Sequence, residues 1–184
     1  FRYFSKTISA ALVVAILEEI IFRGGLFGAL RKAYSWKIAL VSSSVVYALV
    51  HFLSKAPAPP SIHWLSGFVT LGHMLRGFGD WQMLIPGFFN LTLAGIILAM
   101  AYQFSGTLYF SIGLHGGWIF WLKSYGFFTS KNMDQESWFW GTQKLIDGWA
   151  AFIVLVLTLL ILIWCQRKLF PEDLLQRQSF SEQK

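Results

Sequence analysis

Long apolar stretches without formal charge alternate with short charged or turn-forming segments along most of the chain. These stretches are Ile38 to Leu53, Met83 to Phe104, Thr107 to Leu122 and Gly148 to Cys165. A helix rises 1.5 Å per residue, so about 20 residues cross a hydrocarbon layer about 30 Å thick. A further stretch, Ile8 to Leu30, is equally apolar except for Glu18, Glu19 and Arg23. The pattern predicts an all-α protein, a polytopic transmembrane helix bundle of about five spans.

The segment between the second and third spans departs from this pattern. Pro57, Pro59 and Pro60 lack amide donors and exclude a helix directly after the second span. The stretch Ile62 to Gly79 is shorter and mixes apolar with polar residues, which predicts an interfacial or re-entrant segment. We therefore expect one membrane domain over residues 1–170, with an insertion at 54–82, and a polar C-terminal tail over residues 171–184.

Composition supports a membrane protein. Charged residues make up 13% of the chain and hydrophobic residues 55%, with a mean hydropathy of +0.55, whereas globular domains carry about 25% charged residues. The cations behind the net charge of +6 are scattered over loops, so anionic lipid headgroups, and no nucleic acid, are the expected partners. Cys165 is the only cysteine, which excludes an internal disulfide. Because the chain starts at Phe1 without a signal-like segment, we expect further spans before it.

Two adjacent glutamates in the first span carry the strongest chemical signal. A carboxylate at bilayer depth costs about 2.5–3.5 kcal/mol, so such groups are rare and functional by default. Glu19 and Arg23 are four residues apart and are predicted to pair on one helical face. Glu18 lies about 100° around the helix, which leaves it available for another task. The alternative is that all three residues form an ion network that only fixes helix packing.

Other polar groups at membrane depth are few. His51 lies in the second span and His115 in the fourth, while His63 and His73 fall in the insertion. The uncharged candidates are Ser43, Asn90, Thr92 and Ser111. A glutamate in a low-dielectric pocket holds a proton more tightly than in water and can act as a general base, with the histidines sharing the water or stabilising an oxyanion.

A second route is a catalytic zinc ion held by Glu18, His51 and His115, with a water in the open position. Either route leads to hydrolysis, with a peptide bond in or beside the membrane as the target. A proton or ion carrier that uses the same groups as a relay is a third interpretation, but the polar set is compact and suggests no path across the bilayer.

Three ordered motifs on separate predicted spans resemble those of the CPBP family, the CAAX proteases and bacteriocin-processing enzymes. The first, Glu18-Glu19-Ile20-Ile21-Phe22-Arg23, matches the family's E-E-x-x-x-R motif. The segment from Tyr47 to His51 is similar to its aromatic-x-x-x-His motif, and Ser111 to Trp118 is similar to the motif around its second histidine. The resemblance covers roughly Ala11 to Phe120 and is interrupted by the insertion.

This resemblance implies an intramembrane endopeptidase of the bacterial cytoplasmic membrane that acts on membrane-associated, prenylated CAAX-type or bacteriocin-like substrates. Glu18 and His51 would activate water and His115 would help hold the oxyanion, with Glu19 and Arg23 as supporting groups. It favours a mechanism that requires no cofactor, with zinc as the alternative.

The chain departs from the family's pattern four residues after the second histidine, where Ile119 stands in place of Asn or Asp. Asn90 and Trp118 are candidate substitutes, since each carries a side-chain donor. The aliphatic residue also motivates the alternative function, a non-catalytic membrane scaffold or immunity protein that binds a membrane partner.

Overall fold

The computed structural model describes residues 2–54, 56–57, 61–79, 81–129, 137–141 and 145–169. Helices form all regular secondary structure within these ranges, which confirms the all-α prediction. In chain order they are α1 (Arg2–Glu19), a π-helix (Ile20–Phe27), α2 (Gly28–Ala33), α3 (Trp36–His51), α4 (Ser66–Met74), a 3₁₀ turn (Leu75–Phe78), α5 (Trp81–Ser105), α6 (Leu108–Phe128), α7 (Ser137–Trp140) and α8 (Trp149–Leu169). The predicted polar tail, residues 171–184, lies outside the described residues.

Helix α5 is the centre of the bundle, because it packs against α3, α6 and α8. The α3–α5 contact is close, since a Cβ atom added at Gly95 would lie 2.9 Å from Cβ of Ser44. Helix α1 packs against α6 where Gly116 faces Ala15, and a Cβ added at Gly116 would lie 3.6 Å from Cβ of Ala15. Small residues at these two crossings let the backbones approach, as is common between membrane helices.

The first predicted span is helical throughout but is not a uniform α-helix. Residues buried in α1 and the π-helix recur at every fourth position, namely Thr7, Ala11, Ala15, Glu19, Arg23 and Phe27. Four α-helical residues turn about 400°, so a stripe at this spacing drifts about 40° per step. The wider π-helical turns, closed by i→i+5 hydrogen bonds, turn less per residue and reverse that drift. Arg23 and Phe27 therefore stay on the inward face that carries Glu19.

Within the described residues, two helical segments are long and apolar enough to cross a membrane: Leu84–Ser105 in α5, with 22 residues, and Trp149–Gln166 in α8, with 18. They correspond to the third and fifth predicted spans. Helix α3 is shorter, with 16 residues, and the first span carries three ionisable side chains. Five spans thus remains a prediction for the bundle as a whole.

The insertion contains α4 and the 3₁₀ turn, neither of which buries a residue. Its aromatic and aliphatic side chains are largely exposed, among them Trp64 and Phe68. The amide of Ser54 donates to the carbonyl of Met74 at 2.9 Å, and Gly77 lies against the carbonyl of Phe52. This segment is therefore anchored beside the end of α3. Its exposed apolar character is typical of interfacial helices, and interfacial placement remains a prediction.

Candidate active site

The ionisable side chains of three helical segments meet in the interior of the bundle. The first helix and its π-helical continuation contribute Glu18, Glu19 and Arg23, and α3 and α6 contribute His51 and His115. The packing of α6 against α1 aligns residues that are 96 positions apart in sequence. The structure thus brings together all five residues that the sequence singled out as reacting or supporting groups.

Glu19 is the centre of the buried half of this cluster. Nη1 of Arg23 donates to Oε1 of Glu19 at 2.9 Å, and Nη2 donates to the carbonyl of Gly95 at 3.3 Å. Nδ1 of His115 lies 2.9 Å from the same carboxylate oxygen. The side chains of Glu19, Arg23 and His115 are 0%, 2% and 7% exposed. A buried charge of this kind needs a partner, and Glu19 has the predicted partner and a second one that the spacing did not predict.

Glu18 occupies the outer half of the cluster. Its Oε2 atom lies 3.6 Å from Nε2 of His51 and 3.8 Å from Nε2 of His115. Both separations exceed a direct hydrogen bond, and this oxygen makes no hydrogen bond within the described part of the chain. The side chains of Glu18 and His51 are 26% and 30% exposed. Glu18 and His51 are therefore the more exposed side chains of the cluster, although Oε2 of Glu18 is itself a buried atom.

Hydrogen bonds at Nδ1 set the tautomers of both histidines. Nδ1 of His51 lies 2.8 Å from the backbone carbonyl of Tyr47, and a carbonyl can only accept, so Nδ1 carries the proton. In His115 the carboxylate of Glu19 fixes the same tautomer. In the neutral rings, Nε2 is then an acceptor. Three acceptor atoms, Oε2 of Glu18 and the two Nε2 atoms, consequently converge on one side of the cluster.

Tyr47 is also a member of the site, although the sequence marked it only as the aromatic residue of the second motif. Its ring centroid lies 4.3 Å from that of His51 and 4.6 Å from Cζ of Arg23. Its hydroxyl lies 3.4 Å from Nε2 of His115. The signal in the sequence was a hydroxyl-bearing aromatic residue one helical turn before His51. The hydrogen bond from Arg23 to the carbonyl of Gly95 could not be predicted from the sequence, because it depends on how the helices pack.

The two candidate accessory residues have other contacts. Asn90 donates through Nδ2 to the carbonyls of Ile146 and Gly148, which ties α5 to the start of α8. Trp118 packs with the apolar cluster around Ile97 and Leu155. These are the contacts that the structure gives the two side chains, and their accessory role stays a prediction. Ile119 is half-buried and offers no side-chain hydrogen bond.

The chemistry of the donor set, a carboxylate and two imidazoles, is that of a catalytic zinc site. Across the described residues, however, no three or more His, Cys, Asp or Glu side chains are arranged as a group that could hold a metal ion. Zinc held by Glu18, His51 and His115 stays an alternative to a metal-free site.

Comparison with known proteins agrees with the motifs. No curated protein and no solved structure matches the chain. The family model described as type II CAAX prenyl endopeptidase Rce1-like matches residues 2–121, well over half of the 184 residues. The match includes the three motifs and all five residues of the cluster, and it confirms the resemblance inferred from the sequence. The chain therefore belongs to the Rce1-like type II CAAX prenyl endopeptidase family, a family of membrane-embedded proteases.

Proposed function

We propose that this protein hydrolyses peptide bonds of membrane-associated proteins with a water molecule activated by Glu18 and His51. The observation that carries the proposal is the convergence of Oε2 of Glu18, a buried oxygen without a hydrogen bond in the described part of the chain, and Nε2 of His51, which lies 3.6 Å away. Two polar atoms at this separation are too far apart for a good direct hydrogen bond and close enough to share one water.

A water that enters this position as a reactant donates one O–H to Oε2 of Glu18 and the other to Nε2 of His51, because both atoms are acceptors. Its lone pairs then point away from the protein, toward the substrate. As water oxygen attacks the peptide carbonyl carbon, one of its protons passes to Glu18, and the carbonyl electrons move to oxygen. The proton is then delivered to the leaving amine nitrogen as the C–N bond breaks.

The buried half of the cluster supports this chemistry by holding His115. Glu19 accepts from Nδ1 of His115, and Arg23 balances the charge of Glu19. The ring of His115 is thereby fixed with Nε2 directed at Glu18, 3.8 Å away. We propose that His115 helps to hold the oxyanion through the hydrogen-bond donor that it orients, and that Glu19 and Arg23 are positioning residues.

Prenylated CAAX-type substrates are the first class to test, because the family model carries that description. The purified full chain in liposomes, incubated in ¹⁸O-labelled water with a prenylated CAAX peptide and its unprenylated counterpart, is expected to release a product whose new carboxylate carries the label. Mass spectrometry of the products reads both the bond cleaved and the label. Protein-free liposomes are the control. Failure to cleave either peptide would contradict the proposed function.

Metal dependence is a separate expectation. A water held between Glu18 and His51 needs no Lewis acid, so we expect hydrolysis to survive chelation and zinc content to be well below one equivalent. Elemental analysis of the purified protein and the cleavage rate after chelation measure this. Stoichiometric zinc, lost together with activity and restored by added zinc, would replace this mechanism with the zinc alternative held by Glu18, His51 and His115.

A further inference from the structure

Hydrolysis of a peptide bond places negative charge on the carbonyl oxygen, which needs a hydrogen-bond donor near Glu18. Most side-chain donors of the cluster already have acceptors. Arg23 donates from Nη1 to Glu19 and from Nη2 to the carbonyl of Gly95. Nδ1 of His115 donates to Glu19, and Nδ1 of His51 donates to the carbonyl of Tyr47.

The hydroxyl of Tyr47 differs, because its partners lie on the side of the proposed base. It lies 3.4 Å from Nε2 of His115, which is long for an O–H···N hydrogen bond, and it also lies within hydrogen-bonding reach of the carboxylate of Glu18. The same Nε2 atom lies 3.8 Å from Oε2 of Glu18, so the hydroxyl and the proposed base are neighbours of one nitrogen. Once Glu18 has taken a proton from water it is neutral and a weaker acceptor, so the hydroxyl can turn from it to the developing oxyanion.

The geometry points to Tyr47 as the residue that donates a hydrogen bond to the oxyanion, with the peptide carbonyl oxygen as its ligand; this rests on the function proposed above. In the resting state the hydroxyl is shared between Nε2 of His115 and the carboxylate of Glu18. When water adds to the carbonyl carbon and charge develops on oxygen, the O–H of Tyr47 transfers its hydrogen bond to that oxygen. No proton leaves Tyr47.

The surroundings of Tyr47 suit this task. The side chain is 3% exposed, and in a water-poor site a hydrogen bond to an anion is worth more than in solution. Its ring is held between the guanidinium of Arg23 at 4.6 Å and the edge of Phe22, with centroids 5.0 Å apart. The hydroxyl is thus carried by a ring whose position does not depend on the hydroxyl itself. His115 contributes to oxyanion binding through the orientation of this group.

The test compares Tyr47→Phe with Tyr102→Phe in the liposome cleavage assay. Tyr102 packs its ring against Phe27 in a core cluster away from Glu18. Removing its hydroxyl is therefore a matched control for the same chemical change outside the site. We expect Tyr47→Phe to lower kcat about 100-fold with KM nearly unchanged, since removal of one oxyanion donor typically costs 10²–10³ in kcat. Tyr102→Phe is expected to keep the wild-type kcat and KM. Both variants are expected to keep the wild-type unfolding temperature.

A fluorinated tyrosine at position 47 separates donation from packing. This analogue keeps the hydroxyl and makes it a stronger hydrogen-bond donor, so we expect kcat at neutral pH to equal or exceed the wild-type value with KM nearly unchanged. A kcat that stays at the Tyr47→Phe level although the hydroxyl is restored would overturn the proposal.

Two further results are decisive. Wild-type kcat in Tyr47→Phe, or a change in KM alone, would reject the role of Tyr47 while the proposed hydrolysis stands. Absence of cleavage by the wild-type protein would reject both.

Discussion

Replacement of Glu18 by Gln is expected to lower kcat for peptide cleavage by about 10²–10⁴-fold, the range that a general base contributes. Gln has the same size but cannot take a proton from water. Its amide nitrogen would also donate to the water oxygen and occupy the lone pair needed for attack. The measurement is single-turnover cleavage of the peptide that the wild-type protein hydrolyses, in the same liposomes.

This variant is expected to leave the fold intact. Oε2 of Glu18 makes no hydrogen bond within the described residues, and the side chain is partly exposed. We expect its free energy of unfolding to change by about 1 kcal/mol or less, the usual net contribution of one hydrogen bond, because Gln has the same size and keeps an acceptor oxygen. Undiminished cleavage by a correctly folded Glu18→Gln protein would contradict the assignment of the base. A cellular phenotype that survives Glu18→Gln but is lost on changes in the insertion at 54–82 would favour the scaffold or immunity role.

The variant Arg23→Met is expected to destabilise the folded protein by about 3–5 kcal/mol, the usual cost of removing one partner of a buried ion pair. Met fills a similar volume, but Glu19, with 0% of its side chain exposed, would keep its charge without the guanidinium. Thermal unfolding in detergent measures the loss. Lys32→Met is the matched control, because Lys32 is exposed near the end of α2 and its replacement should cost about 0.5 kcal/mol or less.

Two double variants distinguish stability from positioning. Glu19→Gln with Arg23→Met and Glu19→Met with Arg23→Met both remove the buried charges, so both are expected to recover much of the lost stability. Only Gln retains an oxygen that can accept from Nδ1 of His115, so the Gln form should cleave faster than the Met form. Equal activity in the two double variants would show that Glu19 does not position His115. If Arg23→Met unfolds at the wild-type temperature, the ion pair does not stabilise the fold.

Local spacing predicted the contacts that lie within one helix. Glu19 and Arg23 are four residues apart, which places them on the same face of an α-helix or of a similar helix. The ion pair forms, with a distance of 2.9 Å. The same spacing places Tyr47 beside His51. The π-helix after Glu19 was not predictable in this way, because the apolar pattern of Ile20 to Phe27 suits either helix type. The π-helix is favoured by tertiary packing, because its wider turns keep Arg23 and Phe27 buried against α3 and α5.

The sequence by itself determined that the protein is helical and apolar and that it places carboxylates and histidines on separate helices, because these properties follow from composition and from periodicity within single segments. It also determined the family, through the order of its motifs. Tertiary structure alone decided that His115 meets Glu18 on one edge and Glu19 on the other, and that the hydroxyl of Tyr47 points to the same nitrogen. These contacts join residues from different helices. Their distances depend on how closely α6 packs against α1 at Gly116 and α5 packs against α3 at Gly95. The local sequence pattern of a single helix does not determine this packing.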